Sequence, residues 1–387
     1  MPDYVLLKRA QVSAPLLGME SVGFAASSLP YAPVIEVHDL SPREAANANR
    51  APDVAAVAPA MPTKLIEPFD VGAGNAAAPD MWGIDAVGAS RSAYTGAGVT
   101  VVILDTGIDA THPAFAGVNV IEQDFSGDGN GDRVGHGTHC AGTVLGRDVG
   151  GVRIGVARGV PTLLMGKVLG DTGGGSSTML FDGMTWAAQN GANIISMSLG
   201  FDFSEAVARG MASGQPVQAA TSDALEAYAA NLRMFDALSA MIRVGGPFGR
   251  DPLVIAASGN ESHSPLYTVS ASLPSSALDV VSVGALQRTG AGRYGVTYFS
   301  NRNVTLSAPG LGIVSAKPGG GLQAMSGTSM ATPHAAGIAA LWWEALVASH
   351  QGATGSKVQT KLGGACRFDL IDQGDEADVG LGIVAAP

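Results

Sequence analysis

The sequence predicts an α/β fold: a three-layer sandwich around a central, mainly parallel sheet, preceded by a small α+β unit. Three observations predict it. Near-continuous apolar, β-branched runs recur as GVTVVILDTG, TLLMGKVL, ANIISMSLG, PLVIAASGN and DVVSVGAL, and a run that does not alternate with polar residues reads as a strand covered on both faces. Helix-like stretches lie between them, namely GHGTHCAGTVLG, SSTMLFDGMTWAAQNG and a long one over residues 204–243. Strands alternating with helices imply a parallel sheet. Finally, reactive residues stand at the carboxyl ends of the strand runs, where such sheets place their sites.

The N-terminal 65 residues differ from the rest. Residues 4–7 and 33–37 read as strands, SPREAANANRA as a helix and DVAAVAPA as a short strand. Residues 66–85 are rich in Gly, Pro and Ala and read as a linker. The main domain then spans 86–387, with a helical insertion at about 201–253 expected at the substrate side. No internal repeat is visible.

Bulk composition bounds the function. With 387 residues, 46% hydrophobic and 14% charged, the chain can bury a large core and is not disordered. The formal net charge of −11 repels nucleic acid and anionic lipid, so neither is an expected partner; a solvated acidic surface is the simpler reading. No apolar run reaches the ~18 residues that span a bilayer. The start MPDYVLLKRAQVSAPLLGME lacks a secretory pattern, so a cytoplasmic location is expected, or a secreted one if a leader has been removed. Two cysteines, Cys140 and Cys366, make no disulfide framework, and whether they meet is open.

Four residues carry candidate chemistry. Ser329, in GTSMATPH before an apolar helix with Pro333 expected in its first turn, reads as a nucleophile at a helix start or as a plain N-cap. His136, between glycines in GHGTHCAG, reads as a general base within reach of another chain. The rival is a metal site with His139 at i, i+3, but no glutamate completes that pattern. Cys140, four residues on, is expected in the core. Asp105 ends VVILD before Thr106 and Gly107, and reads as an orienting carboxylate or a turn-starting Asp. Asn260, after VIAASG, reads as an oxyanion donor or a left-handed turn residue.

In combination, DTG, GHGTH, SLG, GN and GTSMATPH in this order resemble the subtilisin-like serine peptidases, the subtilase family, over residues 85–387. The resemblance implies Ser329 as nucleophile, His136 as general base and acid, Asp105 as its partner, and Asn260 with the Ser329 N–H as oxyanion hole. The activity implied is endopeptidase hydrolysis through an acyl-enzyme, needing no cofactor for catalysis. It also implies Ser198, Leu199 and Gly200 beside the primary pocket, and Gly173, Gly174 and Gly175 as a strand that pairs with an extended substrate. Phe201 and Ser326 depart from the family pattern; Phe201 is expected to narrow the pocket rim. By the same resemblance residues 1–65 look like an inhibitory propeptide, with its tail at 62–68 and protein or peptide substrates as the other partners; a permanent docking domain is the competing view. Asp124, Asp128, Asn130 and Asp132, at alternate positions in DFSGDGNGD, are candidate ligands of a structural Ca²⁺, or simply a polar turn. A catalytically silent partner-binding homologue and an esterase using the same triad are the alternative functions.

Overall fold

Alternate residues of one short strand build both faces of the sheet. In β5 (Thr100–Asp105) Val101 and Ile103 enter one buried apolar cluster while Val102 and Leu104 enter another, because successive side chains of a strand point to opposite faces. The computed structural model of the chain describes residues 3–11, 31–69, 80–245 and 251–387.

In chain order the elements begin with β1 (Asp3–Gln11), β2 (Tyr31–Asp39), α1 (Pro42–Ala48), β3 (Val54–Pro59), β4 (Pro62–Leu65) and α2 (Trp82–Ala86). After β5 come β6 (Asn119–Asp124), α3 (His136–Leu145), β7 (Thr162–Lys167), β8 (Gly174–Ser176), α4 (Ser177–Gln189), β9 (Ile194–Met197) and β10 (Leu199–Phe201). The insertion supplies α5 (Phe203–Ala212) and α6 (Val217–Gly245). Then follow β11 (Leu253–Ala257), β12 (Val280–Gly290), β13 (Arg293–Val296), β14 (Leu306–Pro309), β15 (Ile313–Ala316), β16 (Leu322–Met325) and α7 (Thr328–Ala348). The chain closes with α8 (Gly355–Ala365), β17 (Ile371–Gln373) and α9 (Glu376–Val379).

Among the described residues the central sheet runs β17-β13-β12-β11-β9-β5-β7-β6, with β14 also beside β12. Its strands from β12 to β6 are parallel, and β13 joins antiparallel. Helices α3 and α7 cover one face, through Ala141, Val144, Ala335 and Ile338. Helices α4 and α6 cover the other, through Phe181, Met184, Phe235 and Leu238. The three-layer sandwich expected from the sequence is therefore present.

The N-terminal unit is a three-stranded antiparallel sheet, β2-β1-β3, with α1 beside it. Ser41 and Glu44 close a reciprocal cap at the start of α1. The sheet's buried residues Val5, Leu7, Ala56 and Ala58 join the cluster that holds Phe181 and Phe235, and Asn231 Nδ2 of α6 donates to Pro59 O at 2.8 Å. The insertion is thus the surface on which the N-terminal sheet sits. Replacing the fully buried Phe235 by alanine is expected to cost about 3–5 kcal/mol, from lost burial and the cavity left behind. Denaturant unfolding of the variant checks this, and a loss under about 1 kcal/mol would contradict the packing.

Two expectations need correction. The single long helix over 204–243 is two, because Gly214 adopts φ +93° and Pro216 has no N–H to continue the ladder. The linker expected at 66–85 is in part structured: residues 66–69 lie in the cleft described below and α2 spans Trp82–Ala86. Its middle, residues 70–79, lies outside the described residues, as do residues 12–30 of the N-terminal unit and 246–250 of the insertion. Both cysteines are free thiols and do not meet. Among the described residues no helix is long and apolar enough to cross a membrane.

Candidate active site

Asp105, the last residue of β5, is completely buried, and His136 opens α3 at 1% exposure. His136 Nδ1 lies 2.8 Å from Asp105 Oδ1. A carboxylate only accepts, so Nδ1 carries a proton; Nε2 has no partner and holds the lone pair whenever the ring is neutral. Burial, the largest single influence, would push the His136 pKa down; Asp105, through its charge and hydrogen bond, and the Cys140 sulfur together outweigh it and hold the pKa well above the ordinary value. The nearby Cys140 thiol is itself pushed up by burial and stays neutral. The glycines around His136 have a steric cause: a Cβ on Gly137 would stand 2.1 Å from Gly107 O. Only bare backbone lets α3 start this close to the Asp105-Thr106-Gly107 turn.

Ser329 is the second residue of α7, whose N-cap Gly327 offers no side chain. Its hydroxyl is buried and donates to Ile66 O at 3.1 Å. Pro333 lies within α7 and not in its first turn. The consequence is local: Pro333 cannot donate to the carbonyl four residues back, which is that of Ser329. Cys140 Sγ and Ser198 Oγ donate to it instead, at 3.4 and 3.3 Å. Cys140 also lies 3.8 Å from His136 Nδ1, so one small side chain walls both residues. Asn260 accepts from Thr328 N and Thr328 Oγ1 through Oδ1, both at 2.9 Å. That fixes the amide so that Nδ2 faces the cleft, where it donates to Glu67 O at 2.9 Å. Asp105, His136, Ser329 and Asn260 are therefore gathered at the carboxyl rim of the sheet.

The cleft holds the chain's own strand. β4 lies antiparallel between β8 and β10, with Lys64 opposite Gly174 and Gly200, and Leu65 opposite Leu199. Gly173 O accepts from Leu65 N at 2.8 Å. A Cβ on Gly175 would fall 2.4 Å from Val168 O and 2.8 Å from Thr63 Oγ1, which explains a glycine at that position. Ile66 is buried over Gly200 while Glu67 is exposed. Beyond them Phe69 N donates to Ser326 O at 2.7 Å, and Ser326 N to Phe69 O at 3.1 Å. Ser198, expected beside the primary pocket, uses its hydroxyl to support the Ser329 carbonyl. Phe201 does not narrow the rim: it is buried and packs edge-on against Tyr228 of α6. The insertion reaches the cleft through Asp202, whose N donates to Pro62 O at 2.8 Å and whose carboxylate faces Lys64 Nζ at 3.7 Å.

In the acidic loop the carboxylates expected as calcium ligands have protein partners. Asp124 accepts from Ser126 N, Ser126 Oγ, Gly127 N and Gly129 N, and so caps its own turn. Asp128 accepts from Asp171 N, Asn130 is exposed, and Asp132 turns inward to the start of α3. Among the described residues, the one group of three or more His, Cys, Asp or Glu side chains close enough to share an ion is Asp105, His136 and Cys140. That group is committed to the hydrogen bonds above. His139 is no ligand partner for His136 either; its Nε2 faces Ile313 O and Gln323 O, and burial pushes its pKa down to about 3. Sequence reading missed the inward turn of Asp132 and the support of Ser329 by Cys140 and Ser198. The only sequence signal for the former was the pair of hydroxyls beside the motif residues, Thr106 and Thr138.

Comparison with known proteins agrees with this geometry. Residues 96–363 match the family model described as the subtilase family, peptidase S8. The chain is 34% identical over 279 residues to the subtilisin-like serine protease Pen c 1 of Penicillium citrinum, across 67% of this chain and 58% of that protein. It is 33% identical over 301 residues to subtilisin-like protease 1 of Arthroderma otae, across 73% of this chain and 51% of that one. With subtilisin-like protease 6 of Trichophyton rubrum the identity is 35% over 272 residues, 67% of this chain and 57% of the relative. The chain thus spans a little over half the length of the curated relatives it matches. On the family model, which covers most of the chain, this protein belongs to the subtilase family.

Proposed function

We propose that this chain is a serine endopeptidase. Ser329 attacks the substrate carbonyl, His136 Nε2 takes the hydroxyl proton and returns it to the leaving amine, and water then releases the acyl group. Asp105 holds the proton on Nδ1 and stabilises the imidazolium that forms. Asn260 Nδ2 and the Ser329 N–H, free at the first turn of α7, receive the negative oxygen. No cofactor is needed for these steps. The observation that carries the reading is the buried Asp105–His136 hydrogen bond with a bare Nε2, set where a peptide strand already lies as a β-ladder partner. Substrates are proteins or peptides bound in extended form, and the Ile66 side chain over Gly200 favours an apolar residue before the cut bond. A fluorophosphonate probe tests the nucleophile; failure to label Ser329 in the active form would favour a silent homologue. Peptide and ester substrates assayed side by side separate the peptidase from an esterase.

The N-terminal unit, on this reading, is a propeptide whose tail occupies the cleft until cut. Its support is the pairing of β4 on both edges and the apolar docking on α6. Two carbonyls face the machinery, that of Ile66 on Ser329 Oγ and that of Glu67 on Asn260. The buried Ile66 side chain and the Ser329 hydroxyl on its carbonyl point to cleavage after Ile66, with the Ile66 oxygen replacing that of Glu67 at Asn260 before attack. Active protein is therefore expected to begin at Glu67, while Ser329→Ala stays at full length. N-terminal sequencing checks both, and finding both forms intact would leave residues 1–65 as a permanent docking domain.

A further inference from the structure

We propose that Asp132 is a positioning residue that fixes His136 against Asp105, and that it must be an ionised carboxylate because every group facing it is a donor. This rests on the reading of Asp105, His136 and Ser329 given above.

The first N–H groups of a helix need acceptors from outside it. α3 begins after Gly135, which has no side chain to offer. Asp132 supplies the acceptors from three residues earlier. Its Oδ1 receives Gly135 N at 2.8 Å and Val134 N at 3.2 Å, and its Oδ2 receives Thr138 N at 2.9 Å. Two hydroxyls complete the set: Thr106 Oγ1 at 2.9 Å from Oδ1 and Thr138 Oγ1 at 2.7 Å from Oδ2. Both hydroxyls already accept a backbone N–H, Thr106 from Gly137 at 3.0 Å and Thr138 from Asp109 at 2.9 Å. Their protons are therefore directed to Asp132. Five donors converge on two oxygens, which only a carboxylate can satisfy throughout; an amide or a protonated acid would set a donor against a donor.

The network has a direction. Thr106 follows Asp105, and Gly135, Gly137 and Thr138 surround His136. Asp132 thus ties the end of β5 to the first turn of α3, in parallel with the Asp105–His136 hydrogen bond. Its negative charge also suits a helix N-terminus. Among the described residues no hydrogen bond joins it to residues 62–69, and of its partners only Val134, held weakly at 3.2 Å through its backbone N, lines the cleft, so its main influence falls on the base.

The test compares Asp132→Asn, Thr106→Val and Thr106→Ser in the active enzyme, with competent sites counted by burst titration. The first variant removes the charge and two acceptor positions; the second removes one tether and leaves the charge, so a shared defect reports the tether and not the field. Asp132→Asn and Thr106→Val are expected to lower kcat about ten- to a hundredfold with KM within about twofold, since small misplacements of a catalytic group cost that much. Fluorophosphonate inactivation should slow by the same factor, and Thr106→Ser, which keeps the hydroxyl, should recover most of the rate. The proposal is overturned if kcat per competent site is unchanged and only the melting temperature falls, or if Thr106→Ser is as impaired as Thr106→Val. A wild-type enzyme that the probe does not label would instead overturn the reading of Ser329.

Discussion

Ser329→Ala is expected to lower kcat by roughly 10⁶-fold, the loss measured for the nucleophile in subtilisin itself, while the fold survives. The removed atom is one hydroxyl oxygen. In the structure it bonds to a single neighbour, Ile66 O, so its loss leaves little unsatisfied. The scaffold around it does not depend on the hydroxyl: the Ser329 carbonyl is held by Cys140 and Ser198, and Asn260 is oriented by Thr328. Because the uncut variant keeps β4 in its cleft, it is compared after residues 1–66 have been removed by an added protease, and the residual rate would then come from binding and the oxyanion donors alone. Hydrolysis of a chromogenic peptide by wild type and variant, with circular dichroism as the check on folding, makes the comparison. A variant retaining more than about a hundredth of the activity would remove Ser329 from the reaction.

Asp105→Asn is expected to cost roughly 10⁴-fold in kcat, the size of effect seen when the orienting carboxylate of a serine-protease triad is made an amide. An amide facing His136 Nδ1 can donate to it, which drives the ring proton onto Nε2 and leaves no base toward Ser329. The pH profile carries a second signature. His136 must be neutral to accept a proton, so activity rises with pH through its pKa. The groups facing the ring are Asp105 and the neutral thiol of Cys140. Burial is the largest influence and lowers that pKa; the charge and hydrogen bond of Asp105, with a contribution from Cys140, together raise it further than burial lowers it. With the charge gone and burial unchanged, the rising limb must move to lower pH even as the plateau falls. A limb that stays in place would show that Asp105 does not set the charge on His136.

The fold was legible because its signal is periodic and local. The inner strands read as apolar runs, as β5, β9 and β11 do, whereas the edge strand β6, covered on one side only, carries no such run. The long helix of the insertion was misread for an equally local reason, since helix-forming composition on both sides masked the break at Gly214 and Pro216. Pro333 shows a different limit. Its place inside α7 follows from where Gly327 lets the helix begin, and the vacated hydrogen bond is filled by Cys140 and Ser198 from other elements. The choice between a calcium site and a polar turn was not legible because alternate acidic residues look alike in one dimension. Whether their oxygens meet an ion or backbone N–H groups depends on how the loop turns, and Asp132 turns toward Thr106 and Thr138.

The class of fold, and which residue types stand at the carboxyl ends of its strands, follow from the linear order of residues, because hydrophobic period and motif spacing are properties of the chain read in order. That Asp105 and His136 share a hydrogen bond, that β4 lies between β8 and β10, and that the insertion carries the N-terminal sheet emerge from the folded chain alone. Those are contacts between segments distant along the chain, and their geometry is set by how buried surfaces pack against one another, which no local pattern encodes.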